Sequence, residues 1–346
     1  MSDQARPPQP SPQAGRDCCL ADKVAWMRSR LRADDEAIET HFSWVFLQGD
    51  RAWKLRKPVR RDSMDYGTLE ARRLDSEAEV RLNRRLAPHV YLGTRPITLE
   101  AAGRLAIGGT GAIVDWLVEM RRLDRSRMLD RMLATRRATD EDLQRVAGRL
   151  AEFYAGEPPV LTDGAALVER LRSQLAANHR VLESLDPPAA SALRAAQREF
   201  ADTQRDALDA RAAGGCVIEA HGDLRPEHIL LDDPPAVIDC LEFDRQLRIL
   251  DRAEELAFLE LECARLGHPD AGRRISGVCL ARLGDVAPGS LMEFYRSHRA
   301  ATRAKLYVWR ATEPDGGSPA QWHAIARSYL ATALEAAGRS LHLSGA

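Results

Sequence analysis

Eight consecutive residues, His221-Gly222-Asp223-Leu224-Arg225-Pro226-Glu227-His228, put two imidazoles, two carboxylates and a guanidinium into one polar turn. Strand-like apolar runs at 216–220 and 229–231 flank it, so its side chains sit in a loop held by a rigid scaffold, a placement that favours function. Further on, Asp239 closes Val237-Ile238-Asp239, a second acid at the end of a buried strand. Two carboxylates at strand ends with a basic residue between them suit a phosphate and a divalent metal. Hard cations take oxygen ligands, and phosphoryl transfer depends on positioning and charge neutralisation.

Two kinds of element must position these groups. Up to residue 120, helix-spaced apolar positions at 21–31 and 68–86 alternate with strand-like runs at 38–47, 52–56, 91–99, 105–107 and 112–120. Gln48-Gly49-Asp50-Arg51 reads as a hairpin turn. Beyond Arg121 long helical periodicity takes over, at 139–154, 163–185 and 189–213, then at 251–266, 271–283, 291–310 and 321–341. The first of these opens on Thr139-Asp140-Glu141-Asp142, a capping-box pattern, and Asp251 reads as an N-cap. The expectation is an α+β fold with a small antiparallel-sheet region at 18–120 and a larger, mainly helical region at 121–346.

The chain has 346 residues, 45% hydrophobic and 29% charged, which is a globular composition. A formal net charge of -1 predicts no general attraction to nucleic acid or to anionic membranes. No stretch reaches the ~20 apolar residues of a membrane span. Residues 1–17, rich in Pro, Gln and Ser, have no apolar run after a basic start and are expected to form a disordered tail and not a signal peptide. The six cysteines show no CxxC spacing, so a reducing, cytoplasmic setting is expected. Only Lys23, Lys54, Lys57 and Lys305 are lysines, which makes a lysine inside a strand notable, because ammonium and guanidinium are not interchangeable at a phosphate.

Protein kinases write their catalytic loop His-Arg-Asp-Leu, place an Asn five residues after the Asp, and add a metal-binding Asp on a later strand. Here Asp223 plus five is His228, so order and spacing match while imidazole replaces the amide. The chain resembles the aminoglycoside phosphotransferase and choline kinase superfamily, whose loop reads His-Gly-Asp-Leu-His-x-Gly-Asn with an Ile-Asp on the next strand. It resembles more closely a bacterial group in which such a domain is often fused to a P-loop ATPase domain. The segments carrying that likeness are 39–47 (ETHFSWVFL), 82–88 (LNRRLAP) and 238–244 (IDCLEFD). No Gly-x-x-x-x-Gly-Lys-Ser/Thr occurs, so the fused ATPase half is expected to be absent.

The resemblance implies a two-lobed kinase-like fold, ATP with Mg2+ or Mn2+, and phosphoryl transfer to a small hydroxyl-bearing acceptor. It assigns Asp223 to the substrate hydroxyl, Asp239 to the metal, His228 to the second metal-ligand position and Arg225 to charge on the transferring phosphoryl. Lys54 falls where the family has its phosphate-binding lysine, with Glu79 on the following helix as its partner; Lys57 and Glu77 are close rivals. The phosphate-covering turn would be 39–43, using Thr40 and Ser43. Val118 and Met120 lie in the run that offers backbone groups to adenine. The family also has an Asp at the Asp251 position that braces the loop, and His221 is expected to hold the loop by hydrogen bonds. Two other functions fit the residues: a pseudokinase or nucleotide-binding regulatory module, suggested by His228 and the missing glycine-rich loop, and a metal-dependent hydrolase using His221, Asp223, His228 and Asp239.

Overall fold

The computed structural model describes residues 18–61, 64–313 and 317–345, and the tail expected at 1–17 lies outside them. Compactness divides the chain into one unit of the described residues up to Ser76 with Gly93–Arg122, and another of Glu77–Leu92 with the residues from Leu123 onward. Residues 77–92, expected with the sheet, thus fall with the helices.

In the first unit α1 (Leu20–Ser29) precedes β1 (Glu36–Glu39), β2 (Ser43–Gln48) and β3 (Arg51–Arg56). The single strand expected over 38–47 is two, because Thr40 turns the chain: its N–H and hydroxyl both donate to the Ser43 carbonyl, each at 2.8 Å. The β2–β3 hairpin closes at Gly49, whose φ of +57° is the left-handed conformation glycine adopts without cost from a Cβ. A small ladder of β4 (Arg60–Arg61) and β5 (Met64–Asp65) leads to α2 (Leu69–Asn83). Then β6 (Tyr91–Leu99), β7 (Leu105–Ile107) and β8 (Ala112–Arg121) complete a 6-stranded sheet in the order β1-β2-β3-β8-β6-β7. Phe46, Leu55, Ile97 and Leu117 from its strands pack with Val24 and Met27 of α1. Asp115 on β8 accepts from both Lys23 Nζ and Arg72 Nε at 2.7 Å, and these buried charges pin α1 and α2 to the sheet.

The second unit is mainly helical: α3 (Leu129–Ala134), α4 (Asp140–Gly156), α5 (Gly164–Leu182), α6 (Pro187–Thr203), α7 (Arg205–Ala213), α8 (Arg252–Arg265), α9 (Pro269–Arg282), α10 (Gly289–Ala311) and α11 (Pro319–Ser344). Thr139 caps α4 in a reciprocal box with Asp142 and Asp251 caps α8, as expected, and Asp163 caps α5. The continuous helix expected over 189–213 is α6 and α7, separated at Gln204. Short strands interrupt the helices: β9 (Pro159–Leu161), β10 (Val217–Glu219) and β13 (Ile249–Asp251) form one antiparallel sheet, β11 (Ile229–Leu230) and β12 (Ala236–Val237) another. Leu150, Leu224, Ile229, Val237, Leu256 and Leu259 share one core, so both ends of the polar turn are nailed to helices α4 and α8. The α+β class, an antiparallel sheet followed by a mainly helical region, is as expected. Among the described residues no helix is long and apolar enough to cross a membrane.

Candidate active site

The loop 221–228 runs from β10 to β11, and its backbone is held from behind. Gly222 has a φ of +90°, a conformation that favours glycine, and a Cβ there would press against Leu241 Cδ1 at 3.0 Å. The N–H groups of His221 and Gly222 both donate to the Glu255 carboxylate on α8, and the Tyr154 hydroxyl donates to it at 2.8 Å. Burial pushes the Glu255 carboxyl up, and these three donors oppose it. Arg299 on α10 donates to the Gly222 carbonyl at 2.7 Å.

His221 is buried, and each ring nitrogen has a partner. Nδ1 accepts from the Asp223 N–H at 3.3 Å, and Nε2–H donates to the Ile238 carbonyl at 2.9 Å. Burial pushes its pKa down to about 3, so the ring is neutral. The expected loop-holding role is therefore visible, and it reaches further than expected, since one imidazole ties the loop to the residue before Asp239. The brace expected from Asp251 is different. Asp251 accepts from Arg211 Nη2 and Nε at 2.7 and 2.8 Å and from the Tyr295 hydroxyl at 2.9 Å. Glu255, one helical turn on, braces the loop. Sequence reading missed it because the acid-rich start of α8 looks like ordinary capping.

Asp223, Arg225, His228 and Asp239 come together in the helical unit. A single 3-10 turn, Pro226–His228, sets Arg225 and His228 three residues apart on one side. Arg225 Nε donates to Asp223 Oδ2 at 3.0 Å, Nη1 donates to Glu227 Oε1 at 2.5 Å, and Nη2 reaches His228 Nε2 at 3.0 Å. His228 Nδ1 lies 2.9 Å from the Asp223 carbonyl oxygen. Burial raises the Asp223 carboxyl, but the Arg225 guanidinium, with Arg303, holds it below the usual carboxylate range, so it stays ionised.

Asp239 does not end a strand as expected: β12 stops at Val237, and Asp239 sits past it with a φ of +62°. A left-handed non-glycine residue costs energy and clusters at functional sites. Its N–H faces the Tyr91 hydroxyl at 3.2 Å, the next N–H, of Cys240, donates to Asn83 Oδ1 at 2.9 Å, and Arg248 Nη1 donates to the Leu241 carbonyl at 2.6 Å. So fixed, the carboxylate is 51% exposed with Oδ2 3.6 Å from His228 Nε2.

These donors test the implied metal. One half-exposed carboxylate on a fixed backbone fits a magnesium ion, which takes one or two protein carboxylates and fills its octahedron with phosphate oxygens and water. Among the described residues no third His, Cys, Asp or Glu ligand atom groups with Asp239 and His228. The four-residue hydrolase cluster is not formed, because both nitrogens of His221 are committed to the backbone.

In the sheet unit, Lys54 lies mid-strand on β3, opposite Val45 on β2 and Val118 on β8, and Met120 stands opposite Ala52. Its rival Lys57 lies past the end of β3, with Nζ 2.6 Å from Glu39 Oε1. Arg56, on the same face of the strand as Lys54, pairs with Asp75 of α2 at 2.6 Å. Thr40 and Ser43 serve their own turn, the Ser43 N–H donating to Thr40 Oγ1 at 3.0 Å. On α2 Glu79 is buried and Glu77 exposed.

No family model matches this chain. It is 32% identical over 296 residues to an uncharacterized protein of Mycobacterium tuberculosis (strain ATCC 25618 / H37Rv), and equally to one of Mycobacterium bovis, covering 83% of this chain and 58% of each relative. The chain thus spans little more than half the length of these relatives. Among solved structures it is similar to a choline kinase from Cryptosporidium parvum Iowa II, with a TM-score of 0.52, 10% identity, and coverage of 92% of this chain and 96% of that one. It is also similar to the GDP complex of aminoglycoside 2'-phosphotransferase-IIIa, with a TM-score of 0.50, 16% identity and coverage of 90% and 98%. The fold is therefore the kinase-like fold of aminoglycoside phosphotransferases and choline kinases.

Proposed function

We propose that this protein is an ATP-dependent phosphotransferase that phosphorylates a hydroxyl of a small molecule. One observation carries the reading: Asp223, kept ionised, and Asp239, held in a left-handed conformation, come from separate loops and flank the same imidazole at 3.7 and 3.6 Å. The shared fold supports small-molecule phosphotransfer, and the GDP named for one neighbour supports a nucleotide donor.

In this reading the acceptor hydroxyl lies against Asp223 Oδ1, since Oδ2 takes the Arg225 hydrogen bond. The hydroxyl oxygen bonds to the γ-phosphorus as the bond to the β–γ bridging oxygen breaks. ADP leaves with that electron pair, and the hydroxyl proton passes to Asp223. A divalent ion on Asp239 would supply charge neutralisation for the phosphates. Lys54 would meet the triphosphate, the 39–43 turn with Thr40 and Ser43 would cover it, and the 118–120 backbone of Val118 and Met120 would meet the adenine; Glu79 is the acid that the family resemblance assigns to the lysine. Residues 18–120 would thus serve the nucleotide and 121–346 the acceptor. Four buried free thiols, Cys216, Cys240, Cys263 and Cys279, are consistent with a reducing cytoplasm.

The test is transfer of labelled γ-phosphate from ATP, or GTP as control, to a panel of amino sugars, amino alcohols and other hydroxyl compounds. Asp223→Asn should lower turnover by ~10²–10⁴-fold, the range for a general base, while nucleotide binding persists. Full activity in that variant would overturn the assignment. Nucleotide binding without transfer to any acceptor would favour a pseudokinase, the reading that His228 in place of an amide also suggests.

A further inference from the structure

We infer that His228 positions Arg225 and holds no metal, and that the Arg225 guanidinium occupies the place of a second metal, leaving Asp239 to carry a single divalent ion. The inference deepens the phosphotransferase reading and rests on it. Arginine has donors only, so the 3.0 Å contact between Nη2 and His228 Nε2 requires Nε2 to accept. The ring is then the neutral tautomer protonated on Nδ1, and that N–H has its acceptor in the Asp223 carbonyl at 2.9 Å. Every polar atom of the imidazole is used, and the lone pair a metal would need already receives the guanidinium.

Arg225 is fixed to match. Its three nitrogens are anchored on Asp223, His228 and Glu227, and of five N–H groups one on each terminal nitrogen remains for phosphate oxygens. Displacing it to admit a metal at His228 would break its ion pairs with Asp223 and Glu227. An Asn at 228 would offer a metal its carbonyl oxygen; the imidazole offers the arginine a nitrogen instead. The departure at 228 and the arginine at 225 are thus one exchange, a fixed charge for a mobile one, brought together by the 3-10 turn between them.

The experiment counts Mn2+ and the β,γ-methylene analogue of ATP bound per chain by equilibrium dialysis. It also records electron spin-echo modulation of the bound Mn2+ in protein labelled with 15N-histidine. One Mn2+ per bound nucleotide with no histidine nitrogen coupling is expected. The double variant Arg225→Ala/His228→Asn, checked for native circular dichroism, should bind two. Two Mn2+ per nucleotide in the wild type, or a histidine coupling that vanishes in His228→Ala, overturns the inference and leaves the kinase reading standing. Absence of nucleotide binding with any divalent ion overturns both.

Discussion

Two arginine–carboxylate clusters in the helical unit use the same chemistry in opposite ways. Around Arg211, Asp251 and Asp285 supply four carboxylate oxygens, and Arg211, Arg252, Tyr295 and the Ala253 N–H satisfy every one of them. Arg211, Asp251 and Asp285 are almost wholly shielded, with side-chain exposures of 7%, 0% and 3%. Around Arg225 the acids come from two loops, one on strained backbone, and Asp239 keeps half its surface open. A saturated, sealed network can only hold helices α7 and α8 together. A cluster with a half-exposed acid stays open to solvent on one side. The number of arginine–acid pairs is similar in the two; what separates them is how much of the acid stays exposed.

The sharpest way to break this contrast is Asp251→Ala. It leaves Arg211 buried against Asp285 alone and removes the cap of α8, and losing one partner of a buried pair costs ~3–5 kcal/mol. Denaturant unfolding should show a loss of that size, while Asp223→Asn, which disables transfer in the proposed mechanism and leaves its partly exposed partner Arg225 paired with Glu227, should cost clearly less. A stable Asp251→Ala protein would erase the distinction.

The pH response comes next in size. His221 has its pKa lowered to about 3, well below the ~6.5 of an unfolded histidine, so between those values the unfolded chain binds the extra proton. Stability must therefore fall as pH drops below ~6.5, by up to ~1.4 kcal/mol per pH unit from this one group. Comparing urea midpoints at pH 7, 6 and 5 for wild type and His221→Gln isolates the contribution: the wild-type slope should be the steeper. Equal slopes would mean the ring behind Asp223 is not held neutral.

Much of this was legible in advance and the rest was not, for identifiable reasons. Helical periodicity and the caps Thr139 and Asp251 are local, and local chemistry is written in consecutive residues. The polar turn and Asp239 were legible as chemistry because apolar strands bracket them. Glu255 was not, since a carboxylate 34 residues from His221 braces the loop only once α8 packs against it. Nor was the φ of Asp239, because strain there is imposed by Tyr91 and Asn83 from another part of the chain. The break at Gln204 carries no glycine or proline, and only tertiary packing reveals it. His228 was counted as an oddity, but the direction of its hydrogen bonds, which decides its role, needs coordinates.

Strain at Asp239 gives a smaller effect with two readouts. Asp239→Gly relaxes a left-handed residue and should stabilise the protein by ~1 kcal/mol, while removing the carboxylate that would hold the divalent ion. Higher stability together with lost Mn2+–nucleotide binding would mark the position as one kept at a cost for function. If the glycine variant is less stable, the residue belongs with the sealed network.

The smallest expected effect concerns the lysines of the sheet unit. Lys57 and Glu39 form an ion pair at 2.6 Å, but Glu39 is 54% exposed, and such pairs contribute ~0–1 kcal/mol. Lys57→Gln should therefore change stability by less than ~1 kcal/mol, less still at high salt, and leave phosphoryl transfer unchanged. Lys54 sits mid-strand between β2 and β8, where a side chain has a fixed direction, and Lys54→Gln should raise the KM for ATP. The pair of variants measured side by side decides between the two lysines. A higher KM in Lys57→Gln with none in Lys54→Gln would move the phosphate contact to the strand's end and make the exposed pair the functional one.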